Sequence, residues 1–228
     1  MLPSLQAAVG CDTFLRVMNL PIIVTQVAVL LFSLSVHESA HAWTASRFGD
    51  PTAKMMGRIT LNPLKHIDPV GTLLLPLSII LINVTTGGNL PVFGWARPVP
   101  VNPYNFRNRL RDMAWTSLAG PASNLILMLS GFIFVKFFWR VAQLPSHNPL
   151  ILVFLFLLEI NAVLFLFNLI PLPPLDGAAV LTGFFSRRYG EFIERLGPLS
   201  FIILLALLWT GAFNRIIGGF LTFILSWI

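Results

Sequence analysis

The sequence predicts an all-α polytopic membrane protein, and three observations predict it. Hydrophobic residues fill 56% of the 228 positions and charged residues 11%, where a soluble domain carries about 25% charged residues. Several apolar segments approach or exceed the roughly 20 residues a helix needs to cross a bilayer; the run from Leu20 to Val36 holds no charge at all. No hydrophilic stretch is long enough to build a soluble core of its own. One integral membrane domain is therefore expected over residues 1–228. About five to six membrane segments are expected, with a core at about 20–185 and an additional C-terminal segment at 198–228.

The elements follow in chain order. Met1 to Gly10 lacks the basic n-region of a cleaved signal peptide. A first span at roughly 20–45 stops at Phe48-Gly49-Asp50-Pro51, a glycine stop followed by proline. Thr52 to Asp68 is polar and carries Lys54, Arg58 and Lys65. Gly71 to Val84 is apolar but short, as expected of a re-entrant, tilted or packed segment. Residues 87–105 are rich in Gly, Pro and Val and read as an extended or hairpin insertion with an unpaired strand edge. Longer spans are expected at about 113–138 and 149–170, the latter ending at Pro171-Leu172-Pro173-Pro174. A short apolar piece, Ala178 to Phe185, and a block from Pro198 to Ile228 interrupted by glycines complete the chain.

Charge sets orientation and excludes some functions. Eight of the fifteen Lys and Arg residues lie between positions 46 and 112, which assigns that side to the cytoplasm. The formal charge of +6 reflects such flanking residues. No basic run interleaves with stacking aromatics outside apolar segments, so nucleic acid is excluded as a partner. A single cysteine, Cys11, rules out an internal disulfide and a cysteine-rich metal site.

His37-Glu38-Ser39-Ala40-His41 carries the chemistry. Histidines four apart on a helix share one face, so both imidazoles reach a single Zn²⁺, and the intervening glutamate is placed to take a proton from water at the metal. With four His in the chain, chance produces this pattern in roughly one such chain per thousand. A structural pairing of Glu38 with a histidine is the alternative reading.

Two histidines leave a third protein ligand to find. Asp176, Glu159, Asp68, His66 and His147 are the candidates. Asp176 ranks first because it follows a proline-broken helix, and broken helices at membrane depth line sites or cavities; its competing role is a helix N-cap. Glu159 lies about eleven residues before the break, roughly 16 Å at helical rise. His66 and Asp68, in the rigid Asn62–Pro69 stretch, could orient a ligand, contact the metal or gate access. His147 reads as an exposed loop residue.

HESAHAW, then AGPASN (Ala119 to Asn124), then NLIPLPPLDG (Asn168 to Gly177), in that order on successive apolar segments, resemble the site-2 protease family. Gly57 to Thr72 and Phe93 to Pro103 add to the likeness, which is closest to the short bacterial and archaeal type without PDZ or CBS domains. The resemblance implies an intramembrane zinc metalloendopeptidase with one Zn²⁺ per chain. It implies His37, His41 and Asp176 as ligands, Glu38 as general base and Asn168 as the amide that steadies the substrate carbonyl. An amide in an apolar span must find a partner, and a developing oxyanion wants such a donor; a helix-to-helix hydrogen bond is the plainer role for Asn168. Asn124 competes for that role and reads as mainly structural, in a segment where Gly120 and Ala122 permit close packing.

The expected activity is hydrolysis of membrane-anchored proteins near the cytoplasmic face, for regulated intramembrane proteolysis or clearance of remnant signal peptides. The expected location is the inner or plasma membrane. The expected partners are a transmembrane protein or peptide substrate and the bilayer, with a homo-oligomer open. A metal-ion transporter and an inactive relative that binds membrane helices are the alternatives. Against the first stand the acid–base placing of Glu38 and the lack of inverted halves; against the second stands a complete motif.

Overall fold

The computed structural model describes residues 20–88, 94–145, 147–185 and 187–228. Among them there is no strand, and helices account for nearly all the regular structure. Helix α1 (Leu20–Arg47) is followed by a short α2 (Thr52–Met55), a 3₁₀ turn at Pro63–Lys65 and a π-helical turn at Pro69–Leu74 that runs into α3 (Leu75–Thr86). Helix α4 (Arg109–Lys136) continues as a π-helical turn to Val141; then come α5 (Pro149–Asn168), α6 (Asp176–Phe184), α7 (Arg187–Trp209) and α8 (Ala212–Leu225).

Among the described residues, three helices are long and apolar enough to cross a membrane, at Pro21–Arg47, Arg109–Val141 and Pro149–Asn168. A fourth crossing exists if Gly190–Gly197 and Leu199–Trp209, bent by 77°, form one span. The expectation of five to six membrane segments also counted shorter apolar pieces. Among these are Pro69–Asn83 and Ala212–Leu225, which are apolar but only 10–17 residues long. At 1.5 Å per residue such helices do not reach across about 30 Å of hydrocarbon.

Helix α4 is the centre of the bundle and packs on α1, α5 and α6. In a bilayer, helices associate through close packing rather than exclusion of water, and glycines stand at these contacts. A β-carbon at Gly131 would come within 2.8 Å of the Leu158 amide on α5, and one at Gly183 on α6 would overlap Ala114 and the Leu110 carbonyl. Away from them, Met128 and Val135 of α4, Ile151, Leu155 and Leu158 of α5, and Leu221 and Leu225 of α8 form one apolar core. The last helix is therefore part of the bundle. Its end is fastened by Lys136 Nζ and Arg140 Nε, which donate to the carbonyls of Trp227 and Ile228.

The expected insertion at 87–105 divides. Residues 89–93 lie outside the described residues. Residues 94–102 run without regular structure and no hairpin forms among the described residues. Alternate amides of this segment face one way: Trp95 N–H donates to the Gly71 carbonyl and Arg97 N–H to that of His66. On the other edge Pro98 and Pro100 have no N–H to offer. The free strand edge expected from the sequence is thus occupied on one side and depleted of donors on the other.

Candidate metal centre

Helix α1 sets His37 and His41 one turn apart with their rings edge to face, 4.6 Å between centroids. Their Nε2 atoms are 3.0 Å apart. Asp176 reaches both, with Oδ2 3.2 Å from His37 Nε2 and 3.3 Å from His41 Nε2. Among the described residues, these three form the group of His, Cys, Asp or Glu that could hold a metal ion.

Local sequence explains how Asp176 arrives there. Prolines at 171, 173 and 174 cannot continue α5, and tight turns carry the chain back, Leu172 N–H to Ile170 and Leu175 N–H to Leu172. A β-carbon at Gly177 would overlap the Leu169 carbonyl, so only glycine lets α6 start so near the end of α5. The N-cap position belongs to Leu175, which makes no side-chain cap. The carboxylate of Asp176 is turned onto the imidazoles instead.

The protonation of the two rings follows from their other nitrogens. His41 Nδ1 lies 2.7 Å from the backbone carbonyl of Thr116, which only accepts. Nδ1 therefore carries the proton, and Nε2 of the neutral ring presents a lone pair. His37 Nδ1 lies against Asn124 Oδ1 at 2.5 Å, with the same consequence. With both rings neutral, two lone pairs and a carboxylate oxygen converge at 3.0–3.3 Å, an arrangement suited to a cation between them. A tetrahedron with bonds of about 2.0–2.1 Å has edges of about 3.3 Å, so the donor set fits Zn²⁺ with a further position open.

Helix α4 reaches the centre because residue 120 is glycine. A β-carbon there would overlap His41 Nε2 and stand 2.6 Å from His37 Cε1. Pro121, inside the same helix, cannot donate to the Ser117 carbonyl one turn back, next to the Thr116 carbonyl that accepts from His41.

Glu38 points to the extended segment, its Oε2 accepting from the Val99 amide at 2.9 Å. That segment is clasped from behind. Arg58, buried, donates to the carbonyls of Lys65, Arg97 and Pro98. Ser39 Oγ and His66 Nε2 both bond the Thr60 carbonyl. Arg58, Thr60 and His66 therefore bracket the helix that carries the histidines.

The remaining candidates lie elsewhere. Asn168 is the last residue of α5, and its Nδ2 donates to the Leu164 carbonyl in the same helix at 2.9 Å. Asp68 caps the π-helical turn by accepting from the amides of Val70 and Gly71. His66 serves the Thr60 contact, and His147 is exposed. Glu159 lines a mid-span cavity of about 350 Å³ with Leu30, Ile160, Val163, Leu164 and Leu221. Asp68, His66, His147 and Glu159 stay outside the metal-ligating group.

Comparison with known proteins decides the family. The model of peptidase family M50 matches residues 140–210. "Putative zinc metalloprotease YwhC" of Bacillus subtilis is 39% identical over 184 residues, covering 79% of this chain and 78% of that protein. The chain belongs to peptidase family M50. Rip2 of Mycolicibacterium smegmatis, of the same description, is 32% identical over 92% of this chain and 76% of its own length. Rip2 of Mycobacterium tuberculosis is 32% identical over 70% of this chain and 57% of its own. No solved structure matches. As an M50 peptidase the chain is a metalloprotease, and its long apolar helices make it a multi-pass membrane protein. The likeness drawn from the three sequence motifs is therefore borne out.

Several residues around the M50 centre were missed in the sequence. Thr116 acts through its backbone carbonyl and Val99 through its amide, groups every residue carries. Asn161 and Ser33 left a usable signal: polar side chains in apolar spans, which must find partners there.

Proposed function

We propose that this chain is an intramembrane zinc endopeptidase that hydrolyses peptide bonds of membrane-anchored proteins near the cytoplasmic face. The observation that carries the reading is the convergence of the two Nε2 atoms and one carboxylate oxygen within 3.0–3.3 Å of one another. His37, His41 and Asp176 hold the metal. When bound, Zn²⁺ acidifies a water and polarises the scissile carbonyl. Glu38, next to His37 on the same helix, takes the water's proton and passes it to the leaving amine. Its carboxylate is steadied by the Val99 amide. Asn168, near the break between α5 and α6, keeps a second amide hydrogen free beside its bond to Leu164 and serves as donor to the developing oxyanion.

The cytoplasmic assignment rests on the basic residues between 46 and 112. A substrate enters from the bilayer and unwinds locally, because helical carbonyls are hydrogen-bonded and hidden. The test uses protein purified in detergent, loaded with Zn²⁺, and a single-span substrate. Cleavage abolished by a chelator, restored by Zn²⁺ and lowered about 10²-fold or more in Glu38→Gln is the expected result. Metal flux through reconstituted protein that survives Glu38→Gln, with no cleavage, would sink the reading in favour of a transporter.

A further inference from the structure

The two histidines of the centre are held by different means. His41 bonds directly to a backbone carbonyl, that of Thr116. His37 bonds to a side-chain amide, and an amide can present either end. If Asn124 turned its NH₂ to His37 Nδ1, that nitrogen would have to accept, the proton would move to Nε2, and the ring could no longer bind a metal through it.

Which end Asn124 presents is decided on the neighbouring helix α5. Asn161 Nδ2 lies 2.8 Å from the Leu157 carbonyl, one turn back on α5. A carbonyl only accepts, so the NH₂ of Asn161 is fixed there, and it also donates to Ser33 Oγ on α1 at 2.8 Å. Asn161 Oδ1 is thereby left facing Asn124 as an acceptor. Asn124 Nδ2 donates to it at 2.8 Å, which turns Asn124 Oδ1 to His37. Both asparagines are 0% exposed, so no water can take over either end.

We propose that Asn124 and Asn161 are positioning residues that set the metal-binding tautomer of His37, through a relay rooted in the Leu157 carbonyl. The relay ties the ligand on α1 to α4 and α5, and it explains why two amides lie buried in apolar spans at some cost. Ser33 is an accessory acceptor only: without it the Asn161 NH₂ still has Leu157. This inference rests on the reading of His37, His41 and Asp176 as a zinc centre.

The test measures zinc affinity of the purified chain by competition against a chromophoric chelator, with thermal unfolding of the metal-free protein alongside. Asn124→Leu and Asn161→Leu are expected to weaken zinc binding 10–100-fold, the usual effect of removing an outer-shell partner. Asn161→Asp, whose protonated carboxyl can still donate once and accept once, is expected to stay within about threefold of wild type, and Ser33→Ala likewise. Unfolding temperatures that track affinity across all four variants would overturn the proposal and leave a structural network. Zinc affinity in Asn161→Leu equal to wild type would overturn it too. If Asn161→Leu does not fold, Asn161→Asp binding zinc as weakly as Asn124→Leu is the overturning result. A wild-type chain that binds no zinc would refute the metal centre itself and the relay with it.

Discussion

Val99 contributes no side chain to the centre, yet its amide holds the carboxylate of Glu38 at 2.9 Å. A hydrogen bond to a charged group is worth about 1.5–3 kcal/mol, enough to decide how a carboxylate points. Val99→Pro removes that donor in a segment already built around Pro98 and Pro100. It is expected to lower kcat on a single-span substrate by about tenfold while zinc content stays at wild type. Gly120 is the opposite case, a residue whose side chain must be absent. Gly120→Ala puts a methyl group onto His41 Nε2. Overpacking of this kind costs about 1–3 kcal/mol, and here the strain falls on His41 and His37, the proposed ligands. Loss of bound zinc, read by metal analysis of purified protein, is the expected outcome; full zinc content would show that α4 can move away.

At the scale of elements, the polar segments hold the centre as firmly as the helices do. Asp50, fully buried beyond the end of α1, accepts from the Asn102 amide, the Asn105 side chain and both polar groups of Thr52. It pins the end of the 94–105 segment to the helix that carries the histidines. Burial pushes its carboxyl up, but the hydrogen bonds from Thr52, Asn105 and Asn102 outweigh that and leave it below the usual aspartate value. A carboxyl held lower in the folded state stabilises the fold above the unfolded value of about 3.9, and that stabilisation fades as pH falls through the folded value. Asp50→Asn is therefore expected to lower the unfolding temperature at pH 7, with the gap to wild type closing below about pH 4. A gap that stays constant down to pH 3 would show that the charge is not what matters there.

At the scale of the whole molecule, the proposed orientation rests on charge, since eight of the fifteen basic residues lie between positions 46 and 112. With Cys11 replaced by serine, Met55→Cys on the exposed face of α2 is expected to resist a membrane-impermeant maleimide applied to intact cells. His147→Cys, in the exposed loop between α4 and α5, is expected to react. The reverse pattern would put the centre on the outer side.

How far the sequence reached can be judged from particular residues. The bilayer location, the long spans and the pairing of His37 with His41 were legible, because hydropathy and helical periodicity are local properties of the chain. Asp176 could be ranked first from its proline-broken approach, yet its contact with α1 is made by a chain reversal that no period encodes. Which apolar segments cross and which only pack was not legible, because a short apolar run looks alike whether it crosses the membrane or packs beside it. Asn124 read as structural for a similar reason: an amide's worth depends on its neighbour, here a histidine 87 positions away. The sequence by itself determined what kind of medium this protein lives in and which chemistry one helix carries. Only the tertiary structure decided which amide, carbonyl and carboxylate meet that helix, since hydrogen bonds between distant segments depend on packing at the scale of an ångström, which composition and spacing do not record.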